Sequence, residues 1–345
     1  MNLPGDDSLE LQRLAAARRG DQEAFASLIE PYRAELLAHC YRILGSLEDA
    51  EDGLQETFLR AWRRLETFEG RSSLRAWLYK LATNICFDQL DARRGSRRLP
   101  SSISPPGDPN RALPPASPET LWVGPFPDAW IDRAPDAYPE ARIELRESIT
   151  LAFIAALQTL PGRQRAVLLL RDVMGWNAAE TAQTLDMSTA AVNSALQRAR
   201  DTLKHSTKRP DRSPPGLLQE PLSSLLGRYV TAWEAADSAA LLATLREDVR
   251  LTMPPLPVWF EGRQDIQTFL DGYLFHSSDP FRLRLIPARA NGAPSFAVYQ
   301  MDASGIYRGV ALHVLTLEHG AISEIHDFLT FDGRLFSSLG LPATA

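Results

Sequence analysis

Apolar residues recur at helical spacing over most of the first two hundred positions and alternate at strand spacing only near the end of the chain. Leu9, Leu14 and Ala17, then Phe25, Leu28 and Ile29, predict two helices with Asp21 as the cap between them. After Pro31-Tyr32, the positions Leu36, Leu37, Cys40, Tyr41 and Leu44 predict a third, stopped by Gly45-Ser46. Residues 48–65 carry Ala50, Leu54, Phe58, Ala61 and Leu65 on one face. A loop at 68–73 ends in Ser73, which caps a helix over 74–90 with Leu74, Leu78, Leu81, Ala82, Ile85 and Phe87 apolar.

A second helical block spans 140–204. Leu157, Leu160, Ala166, Val167, Leu168 and Leu170 make a short apolar helix, with Arg163, Arg165 and Arg171 expected on its polar side. Gly175-Trp176-Asn177 breaks it, and Ala178, Ala179, Ala182 and Leu185 make another. Asp186-Met187-Ser188 is a turn with Ser188 as N-cap. Val192, Ala195, Leu196, Ala199 and Leu203 then form the buried face of a helix whose outer face presents Ser188, Thr189, Asn193, Gln197, Arg198 and Arg200. Helix, tight turn and donor-rich helix describe a helix-turn-helix, in which Asn, Gln and Arg read base edges in a major groove. The competing reading is a three-helix bundle with a merely soluble face.

Residues 99–140 hold 11 of the chain's 25 prolines and no helical period, which predicts an extended, solvated linker. Within it Trp122 and Phe126 stand out as an aromatic-proline island expected to dock on another domain or a partner protein, or equally to fold back as a small patch on the nearest helix pair. A second Pro-rich linker covers 208–219. Beyond it come helices marked by Leu222, Leu225, Tyr229 and Trp233, by Leu241, Leu242 and Leu245, and over 262–275. Strand-like runs lie at 249–253, 281–288, 295–301, 309–318 and 322–331. Helices followed by a meander predict a curved antiparallel sheet wrapped by helices.

Charge sharpens the division. The net charge is −6, yet residues 161–212 carry 9 basic and 5 acidic side chains, whereas 213–345 carry 9 and 14. The positive excess sits on the helix-turn-helix block, as a phosphate-binding face requires. Cys40 and Cys86 are the only cysteines, lack metal-ligand spacing and read as buried small hydrophobes in a reducing, cytoplasmic setting. No apolar run is long enough to span a bilayer, and the polar, acidic start is no signal peptide. No metal, cofactor or catalytic residue is expected.

Two further helices carry candidate chemistry. The helix at 48–65 is acidic at its start (Glu48, Asp49, Glu51, Asp52, Glu56), which its own dipole favours. The helix at 74–90 interleaves Arg75, Trp77, Lys80 and Asn84 next to a loop containing Arg71, a composition suited to single-stranded nucleic acid. Trp77 and Tyr79 are equally readable as core.

The stretch from Asp49-Ala50-Glu51-Asp52-Gly53-Leu54-Gln55-Glu56 through Trp62 resembles the core-polymerase-binding helix of bacterial sigma factors of the extracytoplasmic-function group. Leu74-Arg75-Ala76-Trp77-Leu78-Tyr79-Lys80 through Asp88 resembles their −10-reading helix, and the block from Leu160 through Arg200 their −35-binding domain. The segment from Leu241 through Gly262, with Met253-Pro254-Pro255 and Trp259, resembles the SnoaL-like (nuclear-transport-factor-2-like) cone. The resemblance implies a multidomain chain: all-α domains at 9–98 and 141–207, the second a helix-turn-helix, and an α+β SnoaL-like domain with a curved antiparallel sheet at 220–340. It implies core RNA polymerase and promoter DNA as partners. Asp49, Asp52, Gln55 and Glu56 would meet polymerase, Arg71, Arg75, Trp77, Lys80 and Asn84 the −10 strand, and Ser188, Thr189, Asn193, Gln197, Arg198 and Arg200 the −35 groove.

The C-terminal domain would act in cis or through a small-molecule ligand, with Asp248, Trp259, His276, Tyr299, His313, His326 and Asp327 as its candidate polar groups. Adjacent His326 and Asp327 point to opposite faces of a strand, which counts against a shared base there. The rival readings are a helix-turn-helix regulator that works without polymerase, and a helix-turn-helix anchor fused to a SnoaL-like cyclase or isomerase.

Overall fold

Helix ends in the N-terminal region fall where the caps predict. Asp21 accepts from the Ala24 amide at 3.0 Å and Ser73 from Ala76 at 3.2 Å; Ser46, expected only to stop the preceding helix, also caps the next one, accepting from the Asp49 amide at 3.3 Å. Gly45, at φ +73°, supplies the left-handed residue that ends a helix without a Cβ penalty. The result is α1 (Asp6–Arg18), α2 (Gln22–Ile29), α3 (Arg33–Leu44), α4 (Leu47–Arg64) and α5 (Leu74–Ala92). The computed structural model describes residues 6–70, 72–93, 95–117, 121–132, 147–206, 221–275, 282–330 and 334–345. They divide into two units: Met1–Ser96 with Ala129–Lys208, and Arg97–Asp128 with Arg209–Ala345.

In the helical unit α3 is central. Leu36, Leu37, Cys40, Tyr41 and Ile43 are all fully buried, so it packs on every side. The second block adds α6 (Ala129–Asp132), α7 (Leu151–Gln158), α8 (Gly162–Leu168) extended by a π turn over Leu169–Val173, α9 (Ala178–Leu185) and α10 (Thr189–Ser206). Asn177 and Glu180 form a reciprocal capping box at the start of α9. Both thiols are free and buried.

Arg165 departs from the expected polar face. It is 1% exposed, donates to the Ile43 and Leu160 carbonyls and lies 2.7 Å from Gln158 Oε1. Its guanidinium therefore sits at the carbonyl end of α3 and just beyond that of α7, where orphan acceptors and the helix dipoles favour a cation. Burial pulls its pKa down to about 10.

In the other unit α11 (Leu222–Glu234) and α12 (Ser238–Leu242) precede β1 (Leu245–Thr252) and β2 (Trp259–Glu261). Then come α13 (Arg263–Phe269), β3 (Leu283–Ala290), β4 (Ala293–Met301), β5 (Tyr307–Glu318), β6 (Ala321–Leu329) and α14 (Arg334–Ser338). The sheet order is β2-β1-β6-β5-β4-β3. The sheet is mixed rather than wholly antiparallel, because β1 pairs β6 in parallel, with Leu251 beside Ile325. The chain leaves β1, runs through a hairpin, a helix and the meander, and returns with β6 beside β1. Strand β2, absent from the expected list, follows the Pro254-Pro255 turn and hairpins onto β1.

The described part of the first linker is largely exposed or half-buried but is not a free tether. Its irregular backbone is satisfied by the sheet's edges: Gly107 N donates to Trp259 O at 2.8 Å on β2, and Asp128 N to Arg289 O at 3.1 Å on β3. The linker thus meets each outer strand at one end, which partly blunts the open edges. Gly107 is required here, since a Cβ would lie 2.8 Å from Val258 Cγ2. Phe126 is fully buried, and its amide donates to Asn291 Oδ1 at 2.9 Å. Prolines forbid regular pairing of the segment's own backbone but leave its apolar side chains free to pack.

Candidate nucleic-acid and polymerase interfaces

Helix α4 splits its acidic start between inside and outside. Asp49 is only 4% exposed and forms an ion pair with Arg93, so it departs from the expected surface role. Asp52 and Gln55 are exposed and Glu56 is half-buried. Glu56 also lies 2.8 Å from Arg60, which reaches on to Asp88 at 3.0 Å. Of the four candidate residues, Asp52, Gln55 and Glu56 remain accessible, flanked by exposed Glu48 and Glu51.

On α5, Arg75 is held by Glu35 through contacts of 2.7 to 3.0 Å and lies over the Tyr79 ring. Tyr79 is core, sandwiched by His39 and Trp176 at 4.8 and 5.4 Å between centroids. Trp77 is half-buried against Phe68 at 5.1 Å, and Asn84 is half-buried on the same helix. Lys80 Nζ lies 2.6 Å from Asp186 Oδ1. Phe68, Trp77, Lys80, Trp176 and Gln183 line an open cleft of about 700 Å³, so Trp77 and Lys80 meet the helix-turn-helix across it. Arg71 lies outside the described residues.

On α10, Val192, Ala195, Leu196 and Ala199 are buried, while Ser188, Thr189, Asn193, Gln197, Arg198 and Arg200 are all exposed. Ser188 Oγ accepts from the Ala191 amide at 3.1 Å, which confirms it as the N-cap. Arg200 makes a two-point contact with Asp172 at 2.6 and 2.9 Å. Arg171 and Lys204 join Asn193, Gln197 and Arg200 around one depression on this face. Neither was singled out as a base- or phosphate-facing residue. Lys204 continues the α10 spacing of Asn193, Gln197 and Arg200, which is a sequence signal for it; Arg171 lies in the π turn after α8, where spacing along α10 cannot place it.

In the C-terminal unit the polar candidates scatter. Asp248 pairs with Arg246, the Trp259 indole N–H donates to Ser104 O, and Tyr299 Oη donates to Pro342 O. His276 lies outside the described residues. His326 and Asp327 do face opposite ways: His326 Nδ1 lies 3.0 Å from Thr252 Oγ1, whereas Asp327 pairs in register with His313 on β5. His313 Nδ1 lies 2.9 Å from Tyr229 Oη, and His313 Nε2 lies 3.5 Å from Asp327 Oδ1.

This buried Tyr229–His313–Asp327 row spans α11, β5 and β6, and sequence adjacency could not reveal it. Burial lowers the His313 pKa to about 3 and pushes Asp327 up to about 7, so both are neutral over most of the acidic range. Among the described residues no group of three or more His, Cys, Asp or Glu is placed to hold a metal. No described helix is long and apolar enough to cross a membrane.

Family models match this architecture piece by piece: Sigma-70 region 2 over residues 28–96, Sigma-70 region 4 over 150–203 and a SnoaL-like domain over 226–332. The ECF RNA polymerase sigma factor SigG of Mycobacterium tuberculosis is 45% identical over 333 residues, covering 95% of this chain and 86% of that protein. SigW of Bacillus subtilis is 25% identical over 193 residues, 56% of this chain and 94% of that protein. The crystal structure of the Mycobacterium tuberculosis extracytoplasmic function sigma factor SigJ superposes with a TM-score of 0.56. At 20% identity, over 92% of this chain and 100% of that one, it shares the fold. The chain belongs to the ECF family of RNA polymerase sigma factors.

Proposed function

We propose that this sigma factor divides its work among three surfaces of its helical unit. Asp52, Gln55 and Glu56 on α4 engage core RNA polymerase. Trp77, Lys80 and Asn84 hold the −10 strand, with Arg75 positioning the Tyr79 ring behind them. Ser188, Thr189, Asn193, Gln197, Arg198 and Arg200 occupy the −35 groove, joined by Arg171 and Lys204. None of these roles is catalytic, and all of them belong in the cytoplasm with polymerase.

The observation that carries the reading is the Lys80–Asp186 pair at 2.6 Å. It ties the −10 helix to the turn of the helix-turn-helix. Elements centred about 25 base pairs apart lie roughly 85 Å apart along B-DNA at 3.4 Å per step. Both cannot be read from the closed arrangement, so promoter engagement opens the helical unit. Polymerase docking on α4 supplies the differential contact that such a shift needs.

The C-terminal unit regulates in cis. The first linker is the lever, because residues Arg97–Asp128 belong to that unit while the short helix α6 (Ala129–Asp132) belongs to the helical unit. Pull-down of core polymerase by the Asp52→Lys, Glu56→Lys double variant tests the first assignment. A folded double variant that still captures polymerase normally sinks it. A ligand-sensing role rests on one separate observation, an apolar pocket of about 500 Å³ lined by Leu226, Val230, Thr231, Pro287 and Phe296. Thermal-shift screening of the whole chain against small apolar molecules tests that role.

A further inference from the structure

Helix α4 presents more than an acidic stripe. Beside Gln55 lies an open, mostly apolar groove of about 700 Å³, floored by Phe25, Leu37 and Leu54 and rimmed by Phe58, Leu59 and Trp62. Leu59 is 43% exposed, unusual for a large apolar residue on a helix that otherwise buries its apolar face. Phe25 and Trp62 meet edge to face at 5.0 Å, and Arg33 lies over the Phe58 ring, so the walls are rigid aromatic groups. An apolar patch of this kind, rimmed by Gln22, Glu51 and Gln55, marks an interaction surface.

All but one of its lining residues belong to the first four helices. The exception is Trp130, from the four-residue helix α6, which interrupts the stretch 99–140 expected to be extended linker. Its neighbour Ile131 is 3% exposed, which anchors the short helix on the helical unit while Trp130 stays half-buried at the groove.

We propose that Trp130 is an intramolecular plug, occupying in the free chain part of the surface that core polymerase uses. The proposal rests on assigning α4 to polymerase. A partner that contacts Gln55 and Leu59 meets the Trp130 side chain in the same groove, so the two compete. A tethered side chain competes at an effective concentration of order millimolar, enough for a weak contact to be populated. The free energy that holds it down is then subtracted from polymerase binding: the apparent affinity falls by the fraction of chains in which the groove is open.

The test is the affinity of the whole chain for core polymerase, measured by fluorescence anisotropy, with and without Trp130→Ala. Removing the plug should tighten binding about three- to ten-fold, and Trp130→Phe should fall between. Hydrogen exchange on the unaltered chain gives a second readout that needs no variant: residues 129–132 should lose protection when polymerase binds. Weaker binding by Trp130→Ala would make Trp130 part of the polymerase contact and overturn the plug, and unchanged affinity would overturn it too. So would stronger protection of 129–132 in the complex.

The double variant Asp52→Lys, Glu56→Lys separates this failure from that of the underlying assignment. If it loses polymerase while Trp130→Ala changes nothing, only the plug falls. If it binds normally, the α4 assignment falls and the plug with it.

Discussion

Lys80 Nζ lies 2.6 Å from Asp186 Oδ1, which joins helix α5 to the left-handed residue, φ +51°, that ends the first helix of the helix-turn-helix. The carboxylate is 70% exposed, so the pair is a weak latch rather than a foundation. Asp186→Asn keeps a side chain tolerant of that conformation and removes the charge. It should raise affinity for a single-stranded −10 oligonucleotide by up to about fivefold, the equivalent of an exposed ion pair worth at most about 1 kcal/mol. The gain should vanish at high salt. Anisotropy titrations at two ionic strengths decide it, and weaker binding by the variant would show that Asp186 does not restrain Lys80.

The exposed face of α10 predicts a split between base reading and charge. Asn193→Ala and Gln197→Ala should each relax preference at one −35 position, by about 1–3 kcal/mol where the lost contact is bidentate. Arg200→Ala should weaken all duplexes alike and lower the salt slope by about one ion. Because Asp172 holds Arg200 in the free chain, Asp172→Asn should strengthen binding to random duplex. Equal losses on specific and random DNA for all three alanine variants would contradict the base-reading role of Asn193 and Gln197.

Phe126 predicts that the first linker is structural to the C-terminal unit. It is fully buried, and Phe126→Ala should cost that unit about 3–5 kcal/mol. Trp122, half-buried and with its Arg97 contact made to the backbone carbonyl, should matter less. Limited proteolysis of the whole chain checks this: cleavage within 99–128 should accelerate sharply in Phe126→Ala. It also means that a chain cut near residue 208 leaves Phe126 without its pocket, so loss of the C-terminal unit cannot be read as simple release of inhibition.

His313 and Asp327 predict opposing pH slopes. Asp327 binds its proton more tightly folded than unfolded, with a pKa of about 7 against an ordinary 3.8. Its contribution is therefore present at low pH and lost as pH rises toward 7. His313, held neutral with a pKa of about 3 against 6.5, contributes above 6.5 and loses that contribution as pH falls. The two offset each other between roughly pH 4 and 6.5, each up to about 1.4 kcal/mol per pH unit. Asp327→Asn should make β5 and β6 less stable in acid, and His313→Asn less stable as pH rises. Hydrogen exchange across that window reads both, and slopes of the same sign would refute the pairing.

Local sequence was enough to place the helices, their Asp21, Ser73 and Ser188 caps, and the buried and exposed faces of α10, because each follows from side-chain periodicity and hydrogen bonding within one turn. Three motifs in one order also carried the family resemblance. The tertiary structure decided what depends on distant neighbours. Asp49 turns inward because Arg93 is there to meet it, and Arg165 is buried because the end of α3 supplies carbonyls. The sheet is mixed because β6 returns beside β1. The Pro-rich linker is tied down at Gly107, Phe126 and Asp128 because Asn291 and the sheet edges satisfy its backbone there. Tyr229, His313 and Asp327 meet through pairing between strands and a helix far apart in sequence, a contact that periodicity along one segment does not encode.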